Sequence, residues 1–169
     1  MMPKPVRLYV RWVDAFNRVV GRIVMYGVFA MMGILLYSSI SKTFLLPALW
    51  TLEMAQFAMV AYFLLGGAYS LQIDAHVRMD LVYGTWSDRT RAVVDAVTAL
   101  FLLFFLGMLL YGGISSTQYA LQYDERSYSA WAPLMAPIKI IMCVGIVLTL
   151  LQAIATFFKD LAKATGKSL

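Results

Sequence analysis

Four stretches of this 169-residue chain, residues 23–41, 54–73, 96–123 and 140–158, contain no Asp, Glu, Lys, Arg or His. At about 1.5 Å per residue, roughly 20 residues cross a hydrocarbon core of about 30 Å, and backbone polar groups in lipid must be satisfied within the segment. Each stretch therefore reads as a transmembrane helix. Carriers and pumps keep ionisable groups at depth because their chemistry needs them there. That the runs lack them argues against a carrier and toward a membrane-embedded partner of one. Histidine occurs once, at His76, outside the runs, which excludes a bis-histidine haem anchor. Cysteine also occurs once, at Cys143 inside the last run, so there is no internal disulfide or thiolate cluster, only a small apolar side chain. No metal cluster, phosphate-binding glycine loop or nucleophile–base pair is visible, and no enzymatic activity or resident cofactor is expected.

Charge is scarce as well, with 14% charged and 62% hydrophobic residues, where a soluble domain carries about 25% charged. The net charge of +5 is unevenly placed. Lys4, Arg7, Arg11, Arg18 and Arg22 precede the first run; Arg78, Arg89 and Arg91 separate the second from the third; Lys159, Lys163 and Lys167 follow the fourth. Only Lys42, Arg126 and Lys139 fall in the other connections. This alternation predicts a multi-pass inner-membrane protein with both termini and the middle loop in the cytoplasm. The basic charge is there for orientation and anionic lipid, and no nucleic-acid partner is implied.

The expected fold is all-α, a single membrane domain over residues 1–169. Its transmembrane helices lie at about 23–41, 52–73, 90–120 and 138–158, preceded by an amphipathic interfacial helix at about 5–22. The last of these rests on Arg7, Arg11, Arg18 and Arg22, spaced on one helical stripe with Trp12 and Phe16 among the apolar remainder. The apolar first run is too long for a signal peptide and is expected to stay as a helix. The third helix, starting near Ser87, is expected to reach about 50 Å and to tilt or project. Small residues offer close packing: Gly27, Ala30 and Gly33 in the first run, Gly66, Gly67 and Ala68 in the second, Gly107, Gly112 and Gly113 in the third. Trp12, Trp50, Trp86 and Trp131 are placed to sit in the interfaces.

Thr51 is expected to cap the second helix, which puts Glu53 in its first turn, where the helix dipole favours an anion and Gln56 lies one turn on. In the middle loop His76, Arg78 and Asp80 form a tight polar group, and Asp80 is placed to cap a short helix from Leu81. A proton-coupled homodimeric exporter using Glu53 is the competing reading, and it requires that carboxylate to face a central cavity.

The order Trp50-Thr51-Leu52-Glu53, Gly66-Gly67-Ala68 and His76-Val77-Arg78-Met79-Asp80-Leu81 resembles the small membrane subunit of tripartite ATP-independent periplasmic (TRAP) transporters. Ser127 through Trp131, then Pro133, Pro137, Ile138 and Lys139, then Gly145 and Leu150-Leu151-Gln152 extend the resemblance along the chain. It implies two protein partners, a large membrane subunit that transports an organic acid with sodium and a periplasmic substrate-binding protein. The small subunit would act as scaffold and docking surface, and sodium would belong to the large partner. The candidate interface or structural residues are Glu53, Gln56, Gly66, Gly67, His76, Arg78, Asp80, Trp131 and Lys139. Many members carry arginine three residues after the glutamate. Gln56 stands there in this chain, so a Glu53–Gln56 hydrogen bond is the available substitute for an ion pair.

Overall fold

The computed structural model describes residues 4–73 and 88–164, with side chains at 88–93, 96, 163 and 164 excepted. His76, Arg78, Asp80 and Trp86 lie outside the described residues. Five helices fill the rest: α1 Lys4–Met25, α2 Gly27–Phe44, α3 Thr51–Gln72, α4 Asp88–Gln122 and α5 Ala136–Ala164. Four segments are long and apolar enough to cross a membrane, namely Lys4–Phe44, Thr51–Gln72, Val97–Gln122 and Ala136–Ala162. The chain is a multi-pass, all-helical membrane protein.

The helices stand in a row, α2–α3–α5–α4, with α1 laid against α3 and α5. Glycines record where backbones come closest. A Cβ on Gly145 would lie 2.8 Å from Leu64 Cβ and 2.9 Å from its carbonyl carbon, and Gly67 faces Thr149. The near-constant offset of these pairs makes α3 and α5 parallel neighbours. Gly27 against Tyr62 and Gly66 against Val24 put the first two helices antiparallel to α3. A Cβ on Gly21 would fall 2.3 Å from the Tyr69 ring. Gly113 meets Cys143 and sets α4 antiparallel to α5. By contrast, Gly33, Gly107 and Gly112 face open space. Small residues on a membrane helix thus serve two purposes here, and only some of them admit a neighbour within this chain.

Three threonine hydroxyls inside the helices are spent locally. Thr43, Thr117 and Thr149 each donate to the carbonyl four residues back, at 2.9, 2.7 and 2.9 Å. This satisfies them without opening a polar path.

Turn chemistry sets the helix ends. Tyr26 alone divides α1 from α2, with Tyr26 N donating to Ile23 O at 3.2 Å and Phe29 N to Tyr26 O at 3.1 Å, a tight three-residue pattern in place of the α-helical one. Residues 23–25, expected in the first transmembrane helix, form the end of α1 and lie within the candidate span Lys4–Phe44. The expected Thr51 cap is not formed. Trp50 occupies the cap position without a side-chain bond, while the Thr51 hydroxyl reaches Ala48 O at 2.9 Å and Ser38 Oγ at 3.0 Å. Thr51 is buried and ties the 45–50 connection to α2, a use that takes precedence over capping. At its far end α4 stops at Asp124, whose φ of 47° lets Glu125 N donate back to Ala120 O at 3.2 Å. That six-to-one bond with a left-handed residue inside it is a Schellman stop, with Asp in the place glycine usually takes.

Candidate functional site

Helix α1 carries three faces where its sequence suggested two. Val6, Tyr9, Val10, Val13, Asp14, Asn17 and Gly21 recur at helical spacing and turn toward the bundle. Leu8, Trp12, Phe16, Val19 and Ile23 form a second stripe that stays exposed, Trp12 at 72%. Arg11, Arg18 and Arg22 form a third, also exposed, with Lys4 and Arg7 on the same side.

The inward face ends in a polar junction. Gln152 of α5 is fully buried, accepts from Asn17 Nδ2 at 2.7 Å and donates from Nε2 to Asp14 Oδ1 at 2.9 Å. Lys159, two turns further along α5, forms an ion pair with Asp14, Nζ to Oδ2 at 2.7 Å. Gln72, the last residue of α3, donates to the Asp14 carbonyl at 3.0 Å, and the Tyr9 hydroxyl donates to Leu151 O at 3.0 Å. Residues eight apart on α1, about 12 Å along its axis, thus reach the adjacent residues Leu151 and Gln152. Together these bonds tie α1 to α5 between Leu151 and Lys159. Asn17 Oδ1 and Gln72 Oε1 are buried and accept nothing among the described residues. The junction locks three helices together and holds one carboxylate against one ammonium.

The opposite end holds a further ion pair, Lys139 in the first turn of α5 with Glu125, beside a compact loop. In that loop Met135 N donates to Glu125 O at 2.9 Å and Ser127 N to Pro133 O at 3.0 Å, an antiparallel bridge around Arg126 and Leu134. Ala132 takes φ 45°, its amide bonded to Ser129 Oγ at 3.1 Å, and its carbonyl accepts from Arg126 Nη1 at 3.4 Å. Trp131 sits exposed on this loop, and Trp50 stacks on Tyr37 with centroids 5.7 Å apart. Sequence reasoning singled out Lys139 but missed Glu125. Charges of opposite sign at the two ends of one connection, Glu125 and Lys139, were the available signal.

Glu53 does lie in the first turn of α3, partly buried. No hydrogen bond joins it to Gln56, and its Oε2 is buried with no partner among the described residues. Gln56 instead is exposed and lines a groove of about 230 Å³ with Phe57, Val60, Ser116, Ile138 and Lys139. That volume lies below the ~300–1,000 Å³ of ligand pockets. Gly66 and Gly67 are distant from Glu53 along α3 and serve packing, against Val24 and Thr149. The described candidates are thus divided between separate places: Glu53, Gln56, Trp131 and Lys139 at one end of the helices, and Gly66 and Gly67 within the packing of α3.

No curated protein matches the chain. A family profile, described as the DctQ component of tripartite ATP-independent periplasmic transporters, matches residues 31–163. The match covers α3 through most of α5 and begins inside α2, so α1 lies outside it. With four helices fit to span a membrane and most of its length matched, the chain belongs to the DctQ family, the small membrane component of the TRAP transporters.

Proposed function

We propose that this chain is the non-catalytic small subunit of a sodium-coupled, binding-protein-dependent transporter for an organic acid. In this reading it scaffolds a large transport subunit in the inner membrane and offers docking surface to a periplasmic binding protein. The observation that carries the proposal is the continuity of the row. Helices α2, α3, α4 and α5 run unbroken, and the Thr117 and Thr149 hydroxyls bond to carbonyls of their own helices. Transporters hold substrate at unwound helices and exposed dipoles near the midplane. Membrane-spanning helices without them among the described residues suit support of a carrier better than carriage. The outer helix α4 also exposes Phe101, Phe104, Met108 and Tyr111 along its length, apolar area open to lipid or to a larger membrane protein.

Proteoliposomes test it directly. The purified chain alone should give no organic-acid uptake under a sodium gradient, and uptake should appear when the large subunit and the binding protein are added. Sodium- or proton-driven flux by the chain alone would sink the proposal. It would favour the exporter reading, for which the unpaired Glu53 Oε2 is the one supporting feature. Glu53→Gln, in the complete complex, is expected to leave sodium stoichiometry unchanged and to lower the yield of assembled complex modestly. An altered stoichiometry at normal yield would contradict the scaffold role.

The same proposal places both termini in the cytoplasm, from the eleven-to-three division of basic residues. In a Cys143→Ala background, an impermeant thiol reagent applied to intact cells should label Tyr128→Cys and spare Lys4→Cys. The reverse pattern would overturn the orientation.

A further inference from the structure

We propose that α1 is an anionic-phospholipid binding element, reading headgroup charge through Arg11, Arg18 and Arg22 while its neighbouring apolar stripe sits among the acyl chains. Three observations converge on this. The first is the division of α1 into a packed face and two exposed ones, apolar and cationic, that lie side by side. A helix in the membrane interface needs that adjacency, because the acyl and phosphate layers are themselves adjacent. The second is the fate of the only acid on the helix. Asp14 is turned inward to Lys159 and Gln152, so nothing on the outer surface of α1 offsets its arginines. Among the described residues, none of the three arginines pairs with a carboxylate. The third is that α1 cannot roll. Tyr9, Asp14 and Asn17 hold it to α5, and Gly21 is clamped on Tyr69, so the direction in which the cationic stripe faces is built into the fold.

The occupant is fixed by chemistry. Guanidinium groups pair bidentately with phosphate oxygens, and successive arginines spaced seven and four residues apart run about 10 and 6 Å along the axis. A single small anion cannot bridge that run, whereas the phosphates of a leaflet present such a row. The flanking Leu8, Trp12 and Phe16 would have no role with a soluble polyanion but are suited to acyl chains. This inference concerns a segment that the family match does not reach and stands whether or not the transport proposal holds.

The test uses the full chain in detergent, with short-chain phosphatidylglycerol or phosphatidylcholine of identical acyl chains titrated in, and native mass spectrometry and thermal melting as readouts. Phosphatidylglycerol should bind preferentially and raise the melting temperature, with the preference falling as salt is raised. Arg11→Gln/Arg18→Gln/Arg22→Gln should remove most of the preference, at roughly five-fold per arginine, while its melting temperature without lipid stays that of the parent. Lys42→Gln, a cation at the far end of α2, should change nothing. Inorganic phosphate at millimolar concentration should not substitute for the lipid; full stabilisation by phosphate would mean a simple anion site and overturn the proposal. Equal binding of both lipids by the parent chain, or an undiminished preference in the triple variant, would also overturn it.

Discussion

Gly145→Ala is expected to lower the melting temperature of the purified chain more than any other single methyl addition to the described helices except that at Gly21. The added carbon would come within 3.0 Å of Leu64 backbone atoms, which cannot rotate away as a side chain can. Forcing extra volume into a packed contact costs about 1–3 kcal/mol, and for a chain of this size each kcal/mol shifts Tm by about 2–4 °C. The loss should come from the α3–α5 pair, the core of the row. Gly107→Ala and Gly112→Ala serve as the comparison, since both face open space and alanine is the better helix former. They should be neutral or slightly stabilising in the isolated chain. Equal shifts for all three substitutions would mean that helix propensity, and not the Leu64 contact, governs the result.

The second large effect belongs to Gln152→Leu. Leucine has similar bulk but removes the acceptor for Asn17 and a donor to Asp14 in a place with no water access. Leaving such a group unpaired costs about 1–3 kcal/mol in water-soluble proteins, and measured values between membrane helices average nearer 0.6 with a maximum of about 1.7. A loss of about 1–2 kcal/mol is therefore expected, read by melting and by earlier proteolysis of α1. Adding Asn17→Leu should recover part of it, because removing both partners deletes the desolvation penalty along with the bond. Purely additive losses would show that the two amides act separately.

The transmembrane helices could be read from sequence because absence of charge over about 20 residues has one economical explanation in lipid. The same filter concealed the polar junction. Gln152 carries no charge and so passed as part of an inert run, although it is the buried centre of the junction between α1 and α5. Asp14, Asn17 and Gln72 could each be named from sequence, but nothing local says that residues separated by 58 to 145 positions meet. Helix α1 illustrates a related limit. Its periodicity separates basic from apolar residues, yet splitting the apolar set into packed Val10 and exposed Trp12 requires knowing where α5 lies. Gly145 and Gly21 are the tightest contacts for the same reason, since a glycine's worth depends on the Leu64 or Tyr69 opposite. Thr51 was misread because its hydroxyl had two possible uses, and the nearby Ser38 decided between them.

A row of helices behaves differently from a closed bundle when it is disturbed. Helix α2 leans on α3, α4 leans on α5, and the two central helices hold each other. Such an arrangement is close to one-dimensional, and its stability adds from neighbour to neighbour, as in solenoid proteins, in place of being shared around a ring. The outermost members should open first and independently, so hydrogen exchange should protect the centres of α3 and α5 longest and release α2 and α4 at separate rates. Whatever large membrane body stands against an outer helix would then act as the missing next row member, stiffening that flank without any change in the helix's own structure.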